Sequence, residues 1–145
     1  PTPCLGNVIE ANHIHHVMQT LSDGGGIYTL GLQPGTILRG NAIHHIGRNA
    51  GRAPSNGMFL DQGTTDIVIE GNLFWAIDTT PIRWHWTYKN TVRGNTFALA
   101  EGQKIDHFNR ATPDDITDTD NTIVPAGEWS PALAEPITDR CGPRP

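Results

Sequence analysis

The sequence predicts an all-β fold, a parallel β-helix (solenoid) of about four to five coils that ends in an irregular C-terminal tail. Three observations support this prediction: a short repeated pattern, an asparagine aligned in every copy, and charges that alternate in sign at one aligned position. The aligned asparagines are Asn12, Asn41, Asn72, Asn95 and, in a weaker copy, Asn121, at intervals of 29, 31, 23 and 26 residues. A theme that recurs at this spacing is typical of stacked repeats.

Each copy of the pattern reads as two short strands joined by a bend. Apolar residues occupy the position three before the asparagine (Ile9, Leu38, Ile69, Val92) and the position two after it (Ile14, Ile43, Phe74, Phe97, Ile123). Strand alternation places both positions on the inner side of a coil. The bend falls at Gly-Asn or Ala-Asn, where Asn and Gly tolerate a left-handed backbone at little cost. We expect the asparagine amides to hydrogen-bond from coil to coil, as in cross-β ladders.

The position two before the asparagine supplies an internal check on this alignment. It holds Glu10, Arg39, Glu70 and Arg93, which alternate in sign. In coils stacked in register, about 4.8 Å apart, these side chains would form a ladder of opposite charges. Each exposed pair would contribute less than about 1 kcal/mol, so its role would be to favour one register.

Composition excludes several classes of function. The net charge is −5 with no run of lysine or arginine, which argues against a nucleic-acid partner. No stretch approaches the roughly 20 apolar residues of a membrane span. A hydrophobic content of 37% suits a thin core, and 16 glycines and 11 prolines suit a chain that turns often.

By length the 145 residues form one domain, with coils over residues 1–124 and a proline-rich tail over residues 125–145 that packs on or caps the solenoid. We expect a short helix in the tail, with Ser130 as N-cap and Pro131 in its first turn. The first coil starts without an obvious cap. Three interpretations stay open: a piece of a longer solenoid, an end capped by the tail, or end-to-end association with a second copy.

The two cysteines, Cys4 and Cys141, lie near opposite ends of the chain. A disulfide between them would stabilise the fold by about 4–5 kcal/mol in the loop-entropy model, and it requires the tail to run back along the stack. Two free thiols are the alternative. We predict the disulfide, and with it an extracellular or periplasmic location, because a thin β-solenoid with exposed edges is typical of secreted proteins.

Three segments resemble a known family. Residues 22–29 (SDGGGIYT), 33–36 (QPGT) and 57–63 (GMFLDQG) are similar to right-handed parallel β-helix glycoside hydrolases, most of all to family 141, the fucosidase and xylanase type. The tail segment 124–129 (VPAGEW) resembles the end of many such chains. The resemblance covers most of residues 7–135 and corresponds to the C-terminal portion of family members. It implies a right-handed solenoid.

This resemblance implies that Asp23 and Asp61 are the catalytic carboxylates. Glycoside hydrolysis uses two carboxyl groups, about 5 Å apart for retention or about 6.5–9.5 Å for inversion, and stacked coils supply such separations. Aligning Gly26 with Gly57 places Asp23 three residues before and Asp61 four residues after, so the two side chains do not simply stack. The alternative is that both residues only form turns, as aspartate often does.

A group of aromatic and basic residues is the candidate substrate-binding surface. Its members are Tyr28, His44, Arg83, Trp84, His85 and Trp86. Sugars stack on aromatic rings while polar groups bind their hydroxyls, so the set suits a carbohydrate. Strand alternation lets only one parity face outward, and core positions for Trp84 and Trp86 are the alternative.

Histidines three and four residues after the asparagine could approach one another on neighbouring coils. These are His15 and His44, then His16 and His45. No cysteine or carboxylate completes a zinc set at the aligned positions. We therefore expect no metal and no cofactor.

Together these features predict a carbohydrate-active β-helix protein, a glycoside hydrolase acting on a polysaccharide or oligosaccharide. A non-catalytic module that binds carbohydrate or assembles with itself is the alternative.

Overall fold

The protein is a solenoid in which successive coils contribute one strand to each of three parallel sheets. The computed structural model describes residues 4–48, 51 and 53–142. Sheet A contains β1 (Val8–Glu10), β4 (Ile37–Arg39), β7 (Val68–Glu70), β10 (Asn90–Arg93) and β13 (Ile116–Thr119). Sheet B contains β2 (His13–His15), β5 (Ala42–Ile46), β8 (Leu73–Ile77), β11 (Thr96–Leu99) and β14 (Thr122–Pro125). Sheet C contains β3 (Gly24–Thr29), β6 (Ser55–Leu60), β9 (Ile82–His85) and β12 (Asp106–Asn109). The predicted all-β parallel solenoid is confirmed.

The bend between sheets A and B has the same backbone conformation in every coil. The residue before the asparagine is left-handed each time, at Ala11 (φ 53), Gly40 (φ 60), Gly71 (φ 59), Gly94 (φ 59) and Asp120 (φ 56). Glycine reaches this region without steric cost, whereas alanine and aspartate adopt it under strain. The left-handed turn changes the chain direction, and the asparagine that follows points into the stack.

These asparagines form a continuous hydrogen-bonded ladder, as the repeat predicts. Each amide Nδ2 donates to Oδ1 of the asparagine one coil on, at 2.9 Å from Asn12 to Asn41, 3.0 Å from Asn41 to Asn72, 3.0 Å from Asn72 to Asn95 and 2.9 Å from Asn95 to Asn121. From Asn41 onward each Nδ2 also donates to a strand carbonyl of the preceding coil, as in the 2.8 Å bond from Asn72 to Leu38. Asn41, Asn72 and Asn95 are fully buried.

The core is a column of apolar side chains between the three sheets. Leu38, Ile69, Ile43, Phe74 and Phe97 are fully buried at the predicted inward positions, and the Phe74 and Phe97 rings stack at 4.9 Å. Ile9 and Ile14, in the first coil, pack against this column while partly buried.

In the last copy of the repeat, the residue predicted to face inward, Ile123, is not buried. Ile123 is in register with Phe97 but is 58% exposed. Its strand, β14, is the edge strand of sheet B, so nothing in the described part of the sheet packs beyond it.

The predicted charge ladder is present in sheet A. The strands pair Glu10 with Arg39, Arg39 with Glu70, and Glu70 with Arg93. Ion pairs form between Arg39 and Glu10 at 3.1 Å and between Arg93 and Glu70 at 2.6 Å. Glu10, Arg39 and Arg93 are exposed and Glu70 is partly exposed, so the ladder favours the register and contributes little net stability.

The C-terminal tail returns along the stack to the first two coils. Helix α1 (Pro131–Thr138) follows the predicted N-cap Ser130, has Pro131 in its first turn as expected, and contains Pro136. Ahead of the helix, Trp129 stacks on Trp75 of sheet B at 5.2 Å. Beyond it, the Gly142 amide donates to the carbonyl of Ala11 at 3.0 Å. The tail therefore packs on the solenoid along sheet B and the neighbouring bends.

The predicted disulfide is not formed in this structure, where Cys4 and Cys141 are both free. The Cys141 thiol donates to the carbonyl of Ile137 at 3.3 Å, and burial raises its pKa. Cys4 is exposed and accepts a 3.4 Å hydrogen bond from the Asn7 amide. The tail does run back along the stack, as a disulfide would require, but the two thiols have separate partners.

No helix in the described part of the chain is long and apolar enough to cross a membrane.

The asparagine ladder yields a stability prediction. Asn72→Ala removes the acceptor of the Asn41 amide and the donors to Asn95 and Leu38, leaving buried polar groups unpaired. Because each such group costs about 1–3 kcal/mol, the variant should lose at least about 2 kcal/mol of unfolding free energy. Urea denaturation followed by circular dichroism measures this loss.

Arg93→Gln is the matched control, since it breaks only the exposed pair with Glu70 and should cost less than about 1 kcal/mol. Equal urea midpoints for the two variants would show that the ladder is not what holds the coils together.

Candidate functional site

The outer face of sheet C carries a column of aromatic and basic side chains. The strand register aligns Tyr28 with Phe59, Phe59 with Arg83, and Arg83 with His107. The Tyr28 ring meets Phe59 edge to face at 5.2 Å, and the Arg83 guanidinium lies 4.1 Å from the centre of the Phe59 ring. Phe59 is thereby buried although it lies on the outer face. Phe59 thus supports the ring of Tyr28 and the guanidinium of Arg83 on this face.

Asp61 is the centre of a hydrogen-bonded network on this face. It follows β6 directly, and the pairing of Leu60 with Trp84 places it beside His85. Oδ2 accepts a 2.5 Å hydrogen bond from the Tyr28 hydroxyl, and Oδ1 lies 2.7 Å from Nδ1 of His85. The Gln62 amide also donates to Oδ1, at 2.8 Å. Both carboxylate oxygens are therefore held in place.

This environment shifts the pKa of Asp61 downward. Partial burial alone would raise it, but the hydrogen bonds from Tyr28, Gln62 and His85 outweigh that effect because they favour the charged carboxylate. Asp61 is thus held as an anion, the state required of a base or a nucleophile.

The same contacts keep Tyr28 protonated. Burial and the neighbouring Asp61 and Asp23 raise the pKa of Tyr28 to about 12, against the opposing charge of Arg83. The phenol is therefore a hydrogen-bond donor to Asp61 over the physiological pH range.

Asp23, the second predicted carboxylate, lies on the same wall as Asp61. It occupies a left-handed turn (φ 63) just before β3, and its side chain is 62% exposed. The buried Arg83 reaches it with a 2.9 Å hydrogen bond from one terminal nitrogen, while Nε of Arg83 has no hydrogen-bond partner among the described residues. A path of contacts through Tyr28, Phe59 and Arg83 joins the two aspartates.

Trp86 extends this face beyond the aspartates. It is 50% exposed, its ring is parallel to His85 at 6.1 Å, and the Arg110 guanidinium lies 4.8 Å from the centre of its ring. The prediction that Trp86 lies on the surface, where it could stack on a sugar, is consistent with this position.

Trp84 requires a correction, because it cannot bind a substrate from the position it occupies. It is fully buried, and its indole Nε1–H donates to Asp106 at 2.6 Å inside the solenoid. Strand alternation explains the result: Trp84 lies between Arg83 and His85, both of which face outward.

His44 is separated from the other predicted binding residues, because it lies on sheet B. Its ring is 8% exposed and stacks on Trp75 at 3.9 Å. Burial, and then the neighbouring His45, His13, His15 and His16, lower the pKa of His44 to about 3. Its imidazole is thus neutral at physiological pH, in a cluster of its own.

A separate groove lies between sheets B and C, away from Asp61. Its lining includes Asp78, Gln103, Lys104 and Asp106. Burial raises the pKa of Asp106 against the effect of its bond from Trp84. A carboxyl group of this kind can act as an acid. Asp106, however, is in register with the buried Ile82 and bonds the buried Trp84, so it faces away from Asp61. We place the candidate site at Asp61, where the side chains of Tyr28 and His85 and the backbone amide of Gln62 converge on one carboxylate.

Two contributors were not singled out from the sequence. Phe59 supports Tyr28 and Arg83, and Arg110 covers Trp86. The outward parity of Phe59, two residues before Asp61, was the available signal for the first. No sequence pattern indicated Arg110, because its place beside Trp86 depends on how β12 pairs with β9.

No family model matches this chain, and the comparisons with curated proteins and with solved structures give no significant match either. The resemblance to family 141 glycoside hydrolases stays a prediction.

The Asp61 network makes a prediction about pH. Tyr28→Phe removes one of the hydrogen bonds that favour the carboxylate, so the pKa of Asp61 should rise. Because the folded-state pKa is depressed, Asp61 stabilises the fold above its unfolded pKa and loses that contribution as the pH falls through the folded value. In Tyr28→Phe the contribution should be smaller, and its loss should be complete at a higher pH, because the folded pKa lies closer to the unfolded one. Carboxyl-carbon NMR titration measures the pKa, and urea denaturation across the acid range measures the stability.

Tyr88→Phe, at an exposed tyrosine outside this network, is the control and should leave the titration of Asp61 in place. An unchanged Asp61 titration in Tyr28→Phe would contradict the assigned hydrogen bond.

Proposed function

We propose that the outer face of sheet C binds a carbohydrate chain and hydrolyses one of its glycosidic bonds, with Asp61 and Asp23 as the two carboxyl groups. The observation that carries this proposal is that both aspartates lie on one wall: Asp61 accepts a hydrogen bond from Tyr28, Asp23 accepts one from Arg83, and Tyr28 and Arg83 both pack on Phe59. Glycoside hydrolysis needs two carboxyl groups on either side of one bond. The substrate class is a polysaccharide or oligosaccharide.

Asp61 suits the role of base or nucleophile. Its carboxylate is ionised and fixed by Tyr28, His85 and the Gln62 amide, so it would not have to reorganise before reaction. As a base, Asp61 accepts a proton from water as the water oxygen attacks the anomeric carbon. The bond from that carbon to the glycosidic oxygen then breaks.

Asp23 is the group assigned to the leaving oxygen. Its side chain is the more exposed of the two, at 62% against 16% for Asp61, and it lies in the turn before β3. To act as the acid, the Asp23 carboxyl group must carry a proton that it donates to the leaving oxygen. The hydrogen bond that Arg83 donates to Asp23 must then be broken.

Exposed aromatic rings beside the network suit a sugar ligand. Trp86 and Tyr28 are each about half exposed, while polar groups of His85, Asp61 and Arg83 lie between or beneath them. Sugar rings stack their C–H faces on such aromatic surfaces, and the adjacent polar groups bind the hydroxyls.

A second candidate function is a carbohydrate-binding module without catalysis. One observation favours it: Arg83 already occupies one oxygen of Asp23, and the pKa of Asp61 is depressed, so Asp61 is not set up as an acid. In a module of this kind the carboxylate oxygens would accept hydrogen bonds from sugar hydroxyls and leave the glycosidic bond intact.

Site-directed variants separate the two candidates. A panel of aryl glycosides and polysaccharides is screened for turnover and, separately, for binding. For a hydrolase, Asp61→Asn and Asp23→Asn should each lower kcat by about 10²–10⁴-fold, the range that general acid–base groups contribute. Asp114→Asn, at an exposed aspartate in a distant turn, should keep full activity.

Thermal melts of all three variants establish that the fold is retained. Binding without turnover, weakened by Trp86→Ala, would favour the non-catalytic module. A protein that neither binds nor cleaves any glycan on the panel would overturn both proposals.

A further inference from the structure

The outer face of sheet B carries a histidine cluster with no part in the sheet C site. Five of the seven histidines lie together there, on the first two coils: His13, His15, His16, His44 and His45. Stacking in register produces the cluster, because β2 pairs with β5 so that His15 lies opposite His44. The rings of His16 and His45 stack in the same way at 4.8 Å.

His13 and His44 face each other through ring nitrogens that can bind metal. Their Nε2 atoms are 2.7 Å apart and their ring centres 4.9 Å apart. Two ligands of one ion at about 2.0–2.1 Å lie roughly 3 Å apart, so a small opening of this pair would admit an ion. His13 is exposed, which gives solvent access to the gap.

His44 is held in position by its neighbours. Its ring is buried against Trp75 at 3.9 Å, and Trp75 in turn stacks on Trp129 of the tail. Its second nitrogen, Nδ1, contacts Nδ1 of His45, and in the tautomer in which His44 Nδ1 donates to His45 the lone pair of Nε2 faces His13. Metal-binding histidines are oriented by such a partner on the other ring nitrogen.

The cluster also offers several imidazole nitrogens to a cation. A metal binds the neutral form of imidazole, through a ring nitrogen that carries no proton. Bringing five rings together without a cation leaves several nitrogen pairs to share single protons, as between His15 and His16 at 2.9 Å.

We propose that His13 and His44 form a two-histidine site for a divalent transition-metal ion, bound through the two Nε2 atoms. Imidazole pairs select Cu²⁺, Ni²⁺ and Zn²⁺ over the oxygen-seeking Mg²⁺ and Ca²⁺. Within the described ranges no three histidine, cysteine or carboxylate side chains are arranged around one ion, so water fills the remaining positions. Affinity should follow the general order for divalent ions, with Cu²⁺ binding most tightly.

Calorimetric titration of the whole protein with CuCl₂ or NiCl₂ tests the site after EDTA treatment and dialysis. The expected result is one ion per chain, with Cu²⁺ bound more tightly than Ni²⁺. His13→Ala should weaken binding by at least about tenfold, since one of two protein ligands is lost. His13 is exposed, so this variant should fold normally.

Two further variants make the assignment specific to this pair. His107→Ala removes an exposed histidine from sheet C, and His16→Ala removes one from the adjoining pair; both should bind as the wild type does. His44→Gln should lose binding as His13→Ala does. The proposal is overturned if the wild type binds neither ion, if His13→Ala binds with unchanged affinity, or if His16→Ala is the variant that loses binding.

Discussion

The asparagine ladder between sheets A and B is the interaction on which this structure depends. A parallel solenoid needs each coil to turn at the same height, and it must satisfy the buried polar groups where the chain turns. The left-handed residue makes the turn, and the asparagine after it satisfies buried groups of the adjacent coil. One side chain per coil thus fixes the register and removes the cost of burying the bend.

The other corners of the coil are free to differ because the ladder fixes this one. The intervals between successive asparagines range from 23 to 31 residues, yet the strands of all three sheets remain in register. The variation is taken up in the loops between sheets, including the long connection between β5 and β6. Because the strands of sheet C stay in register, their outward-facing residues are regularly spaced. The face that carries Tyr28, Asp61, Arg83 and His85 consists of such residues. Its side chains are fixed by strands and by one another, which is the arrangement a binding site requires.

Much of the fold could be predicted because it is written as a repeat. The asparagine, the apolar positions around it and the alternating charges each recur at one alignment, and all three patterns specify the same stack. Asp23 and Asp61 were singled out through the family resemblance, and both lie on one wall. Their connection does not follow from the sequence, because the contacts of Tyr28 with Asp61 and of Arg83 with Asp23 cross between coils of different length.

The features that were missed depend on side-chain direction and on the path of the tail. Trp84 lies in a run of aromatic and basic residues, and only the parity set by its neighbours places it in the core. The two thiols lie near opposite chain ends, and the route of the tail gives Cys141 its partner in α1 and leaves Cys4 exposed. The histidines could be aligned from the repeat, but the approach of His13 to His44 across one register step needs the ring orientations.

The ladder also has a consequence for how such a chain can change in size. Since every interior asparagine receives the same bonds from the preceding coil and gives the same bonds to the next, one rung is interchangeable with another. A segment cut from one asparagine to the next is therefore a self-contained module. Duplicating or excising such a segment would lengthen or shorten the solenoid by one coil and leave the hydrogen bonds between the remaining coils as before.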